Sequence, residues 1–123
     1  MQQTAEQLAN LDSSALLNRL DYLREQARES GYKWAEAEKA YNDLKELMPS
    51  FLAEFIAHYS TAGVNTTTAR NRALADKNYQ AKVIQMNVAE HKARLEEVEY
   101  KSFIESIKAL TAISYVRNRE MQL

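Results

Sequence analysis

His58 and His91 are the only imidazoles in the chain, and Glu54 stands one helical turn before His58, a spacing at which a carboxylate and an imidazole can share one metal ion. Two ligands do not complete a site. Metal centres in helical bundles draw four or more inward ligands, typically with Glu-x-x-His repeats, and this chain has none. General acid–base chemistry would need further groups beside these histidines, and the sequence places none there. Ser-His-Asp, Walker and dinucleotide-binding patterns are also missing. With no cysteine there is no thiolate nucleophile, thiolate metal site or disulfide framework, which suits a reducing compartment. The expectation is a protein that is not an enzyme, with no catalytic residues, no metal and no cofactor.

The residues best suited to bind something are basic. Arg70, Arg72, Lys77 and Lys82 fall close together with only Asp76 against them, among Asn65, Thr66, Thr67, Thr68, Asn71 and Asn78. Arginine forks, hydroxyls, amides and helix N-terminal N–H groups all donate to phosphate oxygens, so this segment is a candidate for nucleic-acid or partner binding. The same residues equally make a solvated turn whose cations offset helix dipoles. A second basic patch, Arg117 and Arg119 beside Tyr115, has the same two readings. Seven tyrosines and Trp34 offer rings for base stacking. Trp34 and Tyr41 fall instead on a packing stripe, and the other tyrosines have mixed phases that suit helix interfaces.

Helices must carry these groups. Two Gly and one Pro in 123 residues leave too few breaks for a β-protein of this size, so the chain reads as all-α. From Leu16 to His58 apolar residues recur at alternating steps of three and four: Leu16, Leu20, Leu23, Ala27, Ser30, Trp34, Ala37, Tyr41, Leu44, Met48, Phe51, Phe55. That spacing keeps one helix face toward a partner helix, as in a coiled coil. Residues 1–14 form a polar tail in which Asp12-Ser13-Ser14 can cap a helix starting near Ala15. A first arm then covers 15–62, bent at Gly31 and kinked at Pro49 but held in phase through both. Gly63 ends it, 63–76 is a tip connector with a short helix, and Asp76 can cap a second arm over 77–123.

On the second arm apolar residues recur at Ala81, Ile84, Val88, Leu95, Phe103, Ile107 and Leu110, flanked by Val98, Ile104 and Ile113, which suggests a seam through them. Its spacing exceeds a strict heptad and predicts local adjustments. The arms match at 48 and 47 residues, so the expectation is a long antiparallel, coiled-coil-like helical hairpin, each arm roughly 70 Å long. Surplus apolar residues, including Leu17, Leu47, Leu52, Val83 and Val116, suggest that two hairpins pair as a four-helix homodimer. Residues 1–61 carry ten acidic and six basic side chains (net −4), and 62–123 carry seven and ten (net +3), which favours opposite arms pairing.

Over the whole chain 16 Lys plus Arg nearly balance 17 Asp plus Glu, which excludes a uniformly basic nucleic-acid coat. The N-terminal sequence lacks signal-peptide blocks and no apolar run reaches membrane-spanning length, so no membrane association and a cytoplasmic location in a host cell are expected.

Arg70-Asn71-Arg72-Ala73-Leu74-Ala75-Asp76, Tyr79, Ala93-Arg94-Leu95-Glu96, Tyr100, Phe103, Ile104 and the closing Ser114-Tyr115-Val116-Arg117-Asn118-Arg119-Glu120-Met121 together resemble a family of small, functionally uncharacterised helical proteins of bacteriophages and prophages. Its members share an Arg-x-x-Ala-Leu-Ala tip, a following Tyr and an Arg-x-x-x-Met-x-Leu-like end, and are encoded near recombination and single-strand annealing genes. Tyr115 and Asn118 depart from the small or charged residues expected there. The resemblance covers about half the chain and implies an accessory of phage DNA metabolism that contacts a protein of phage or host, or DNA. Two alternatives are an inhibitor of a host enzyme or defence complex, and a purely structural oligomerisation module.

Overall fold

The computed structural model describes residues 12–61 and 63–122, so most of the expected N-terminal tail, Ala62 and Leu123 lie outside the described residues. Every regular element among them is helical: α1 (Ser13–Tyr59), α2 (Thr66–Ala75) and α3 (Lys77–Gln122). Helix α1 begins two residues before Ala15 because Asp12 is its cap. The Asp12 carboxylate accepts from the Ala15 N–H at 2.7 Å, and the Asp12 carbonyl from the Leu16 N–H at 2.8 Å. It continues unbroken through Gly31 and Pro49. Pro49 and Lys45 are both exposed, so the proline ring and the turn it crowds lie on the solvent side. The helix stops at Tyr59, where the Ser60 hydroxyl bonds back to the Ile56 carbonyl at 2.8 Å and Gly63 takes φ +88° to turn the chain. No helix is long and apolar enough to cross a membrane among the described residues.

The chain divides into two compact units. In the first, residues 12–34 pack with 95–122. Its core is Leu16, Leu20, Leu23 and Leu110, with Phe103, Ile107 and Ile113 against them. Further along this unit Trp34 lies 5.4 Å from the Tyr100 ring, and a Cβ on Gly31 would come within 3.2 Å of the same ring. Glycine here allows α1 to approach an aromatic side chain that any larger residue would have to displace. Beside these rings the buried Ser30 Oγ, Trp34 Nε1 and Glu96 Oε2 have no hydrogen-bond partner among the described residues. In this unit α3 turns inward Glu96, Tyr100, Phe103, Ile107, Leu110, Ser114 and Arg117, all buried or half-buried.

The second unit, residues 35–94, contains α2 and the facing stretches of α1 and α3. Contacts pair Phe55 with Tyr79 (5.8 Å, edge to face), Phe51 with Lys82, and Glu38 with Arg94. Partner numbers fall along α1 as they rise along α3, so these stretches are antiparallel. On α1 the expected seam residues Ala37, Tyr41, Leu44, Met48, Phe51 and Phe55 are buried or half-buried, as are Leu23 and Trp34 in the first unit, whereas His58 is exposed.

On α3 the expected seam is corrected. Ile84, Val88 and Leu95 are 61%, 64% and 57% exposed, and Ala81 is exposed too. In the second unit the inward residues are Tyr79, Lys82, Met86, Ala89 and Ala93, which step by three and four without a break. The expected eleven-residue step from Ile84 to Leu95 followed the outer face of the helix, and the next step, to Phe103, crossed to the inner one. The physical reason is packing against the partner helix. α1 fills this unit with Tyr41, Leu44, Met48, Phe51 and Phe55, and α3 meets them with a mixture of large and small residues: Tyr79 against Phe55, Lys82 over Phe51, then Met86 and the alanines Ala89 and Ala93. Phe103 and Leu110 remain on the seam as expected.

Candidate binding tip

Asn65, with φ −76° and ψ 162°, caps α2 by accepting the Thr68 N–H on its side-chain oxygen at 2.7 Å. Ala69 and Ala73, one turn apart, are completely buried and form the inner face of α2. That leaves Thr66, Thr67, Arg70, Asn71 and Arg72 exposed. Asp76 joins α2 to α3. One carboxylate oxygen accepts the Asn78 N–H at 2.7 Å and the Tyr79 N–H at 3.3 Å, capping α3, and the other accepts the Tyr59 hydroxyl at the end of α1. The Gln80 amide adds a bond to the Leu74 carbonyl. The tip is thus tied together at Asp76.

This geometry has an electrostatic consequence. The Tyr59 hydroxyl and the two α3 N–H groups hold the Asp76 carboxyl below its usual pKa, and the same carboxylate, with partial burial, holds the Tyr59 phenol above its own. The single acid within the basic segment spends its acceptor capacity on the fold. Among the described residues, Arg70, Arg72 and Lys77 are exposed and form no ion pair.

Lys82 is placed differently from those three. Its ammonium lies 4.1 Å from the centre of the Phe51 ring, a cation–π contact on the seam, and the residue is half-buried. Arg117, in the first unit, is also half-buried and lines a shallow hollow with Ser13, Leu16, Leu17, Ser114 and Asn118, whereas Arg119 is exposed. Three of the four expected tip cations are therefore exposed, whereas Lys82 packs on the seam, and of the C-terminal pair Arg117 is half-buried and Arg119 exposed.

Glu54 and His58 are exposed, and the His58 ring rests edge-on against Tyr59 at 5.1 Å. No group of three metal-ligating side chains occurs among the described residues. Sequence reasoning recognised Asp76 as a cap but missed Tyr59 as its partner, because nothing in local spacing links residues 17 positions apart across a turn. No family model, curated protein or solved structure matches this chain.

Proposed function

We propose that the protein is a non-enzymatic helical accessory of phage DNA metabolism that folds as an antiparallel hairpin and contacts DNA, or a protein partner, through its tip. The observation that carries this reading is the exposed, ion-pair-free trio Arg70, Arg72 and Lys77 around an acid already committed to Tyr59 and the α3 N-terminus. Such a surface attracts phosphate without an internal counter-ion to displace, and hydroxyls and amides at Thr66, Thr67 and Asn71 add neutral donors. The phage setting rests on the sequence resemblance.

Fluorescence anisotropy of labelled duplex DNA at about 50 and about 200 mM salt tests it. Three phosphate contacts imply a loss of about 40-fold in affinity between those conditions. Arg70→Ala with Arg72→Ala should weaken binding and flatten that dependence. Binding unaffected by the double substitution would refute tip recognition of DNA. A second reading, self-association into a four-helix dimer, is favoured by the exposed apolar residues of α3.

A further inference from the structure

Helix α2 has no acidic residue and carries its two arginines on opposite flanks. Ala69 and Ala73, both 0% exposed, fix which line of the helix packs inward. Arg70 follows Ala69 by one residue and Arg72 precedes Ala73 by one, so at about 3.6 residues per turn they leave the helix on opposite sides, each roughly 80° from the buried line. Asn71, midway between the alanines, points away from that line, and Thr67, one turn earlier, lies within roughly 40° of Asn71. All four side chains are exposed. The helix is tied at both ends: Asn65 caps its start, the Asp76 N–H bonds the Ala73 carbonyl at 3.1 Å, and the Gln80 amide reaches the Leu74 carbonyl.

Two cations on opposite flanks cannot both lie against one flat anionic surface, but they can meet the two walls of an anionic groove. The outermost position, moreover, holds an uncharged amide, where phosphate binding alone would favour a third cation. We propose that α2 enters the major groove of duplex DNA, with Arg70 and Arg72 each bonding a phosphate of a different strand and Asn71 meeting base edges on the groove floor. The proposal rests on the tip reading above and narrows its ligand to duplex DNA.

The dimensions agree. A helix with its side chains is about 10–12 Å across, and the major groove of duplex DNA is about 12 Å wide and about 8.5 Å deep. The minor groove, about 6 Å wide, does not admit a helix, and the major groove of duplex RNA is too narrow and deep for side chains to read. A single strand offers one backbone and leaves one arginine without its phosphate. On the groove floor the Asn71 amide can donate to N7 of adenine while its carbonyl oxygen accepts from the N6 amino group, and the Thr67 hydroxyl can bond a neighbouring base.

Anisotropy titrations with a labelled DNA duplex of about 20 base pairs, one of its strands alone, and the duplex RNA of the same sequence test this. Duplex DNA should bind several-fold more tightly than the other two. Arg70→Ala and Arg72→Ala, each alone, should reduce the loss of affinity between about 50 and about 200 mM salt from about 40-fold to about 12-fold. Helical circular dichroism should not change, because both side chains are exposed. Selection from a pool of random duplexes should enrich an adenine-containing site with the wild type, and Asn71→Ala should lose about 5- to 100-fold of the discrimination at that base pair. Equal affinity for duplex and single strand would overturn groove entry and leave the tip a general phosphate contact. Dependence on only one of the two arginines would overturn the bracketing of two strands, and a selection unaffected by Asn71→Ala would overturn base reading. No affinity for any of the three nucleic acids at about 100 μM protein would overturn the DNA reading of the tip as well.

Discussion

Leu110→Ala and Leu95→Ala remove the same isopropyl group from the same helix, yet should differ several-fold in cost. Leu110 is 0% exposed and packs with Leu16, Leu20 and Leu23. Truncating it forfeits the transfer energy of a buried leucine and leaves a cavity between helices that cannot fully close, a loss of about 2–5 kcal/mol. Leu95 is 57% exposed, so only about two fifths of its surface is shielded within the chain. That fraction of a leucine's burial energy, roughly 2 kcal/mol, is about 0.8 kcal/mol, and the better helix propensity of alanine returns a few tenths. No cavity forms at an exposed site, so the net loss should be near 0.5 kcal/mol. Thermal unfolding followed by circular dichroism resolves the two, since about 1 kcal/mol moves the midpoint of a chain this size by about 4 °C. Leu110→Ala should lower the midpoint by roughly 8–20 °C at every concentration. Leu95→Ala should lower it by about 2 °C in dilute solution, and further only where self-association contributes. Equal, concentration-independent losses would show that Leu95 lies on the intramolecular seam and that the assignment of the α3 faces is wrong.

Ser30→Ala should stabilise the protein by about 1–2 kcal/mol, because it deletes a buried hydroxyl with no partner among the described residues and raises helix propensity; a lower midpoint in urea unfolding would contradict this. Ala93→Leu, at a completely buried position, should cost about 1–3 kcal/mol through overpacking, whereas Val98→Leu on the exposed face should change the folded monomer by less than about 0.5 kcal/mol in the same assay. The tip should lose stability at both extremes of pH. The depressed Asp76 contributes fully above the ordinary carboxyl pKa of about 3.9, and its contribution fades as pH falls through the lower folded value. The raised Tyr59 contributes fully below about 10, and its contribution is lost as pH climbs through the higher folded value. Tyr59→Phe should shrink both the alkaline and the acid parts of this dependence, read as midpoint against pH, while Tyr41, raised by its hydrogen bond to Glu90, keeps an alkaline part of its own; an unchanged profile would mean that the bridge does not hold the tip.

The sequence by itself determined that the chain is helical, where the first long helix turns inward, and where the helices break. The α1 seam was legible because an unbroken run of steps of three and four carries most of the bulk, from Leu16 through Trp34 to Phe55, while the apolar residues off it, such as Leu17 and Leu47, form no such run. Asp12, Gly63 and Asp76 were legible because caps and positive-φ turns act through neighbours within a few residues. Which face of α3 points inward was decided only by tertiary structure. That helix has two apolar stripes, and the one richer in Ile, Val and Leu over residues 84–98 is the outer one. The inner stripe of the second unit is Tyr79, Lys82, Met86, Ala89 and Ala93, which mixes an aromatic, a lysine, a methionine and two alanines and so carries a weaker hydrophobic signal than the outer one. Hydrophobicity ranks residues one at a time, whereas packing depends on the volume of the pair. The Tyr59–Asp76 bridge was hidden for a related reason: its two groups meet only once the turn has formed.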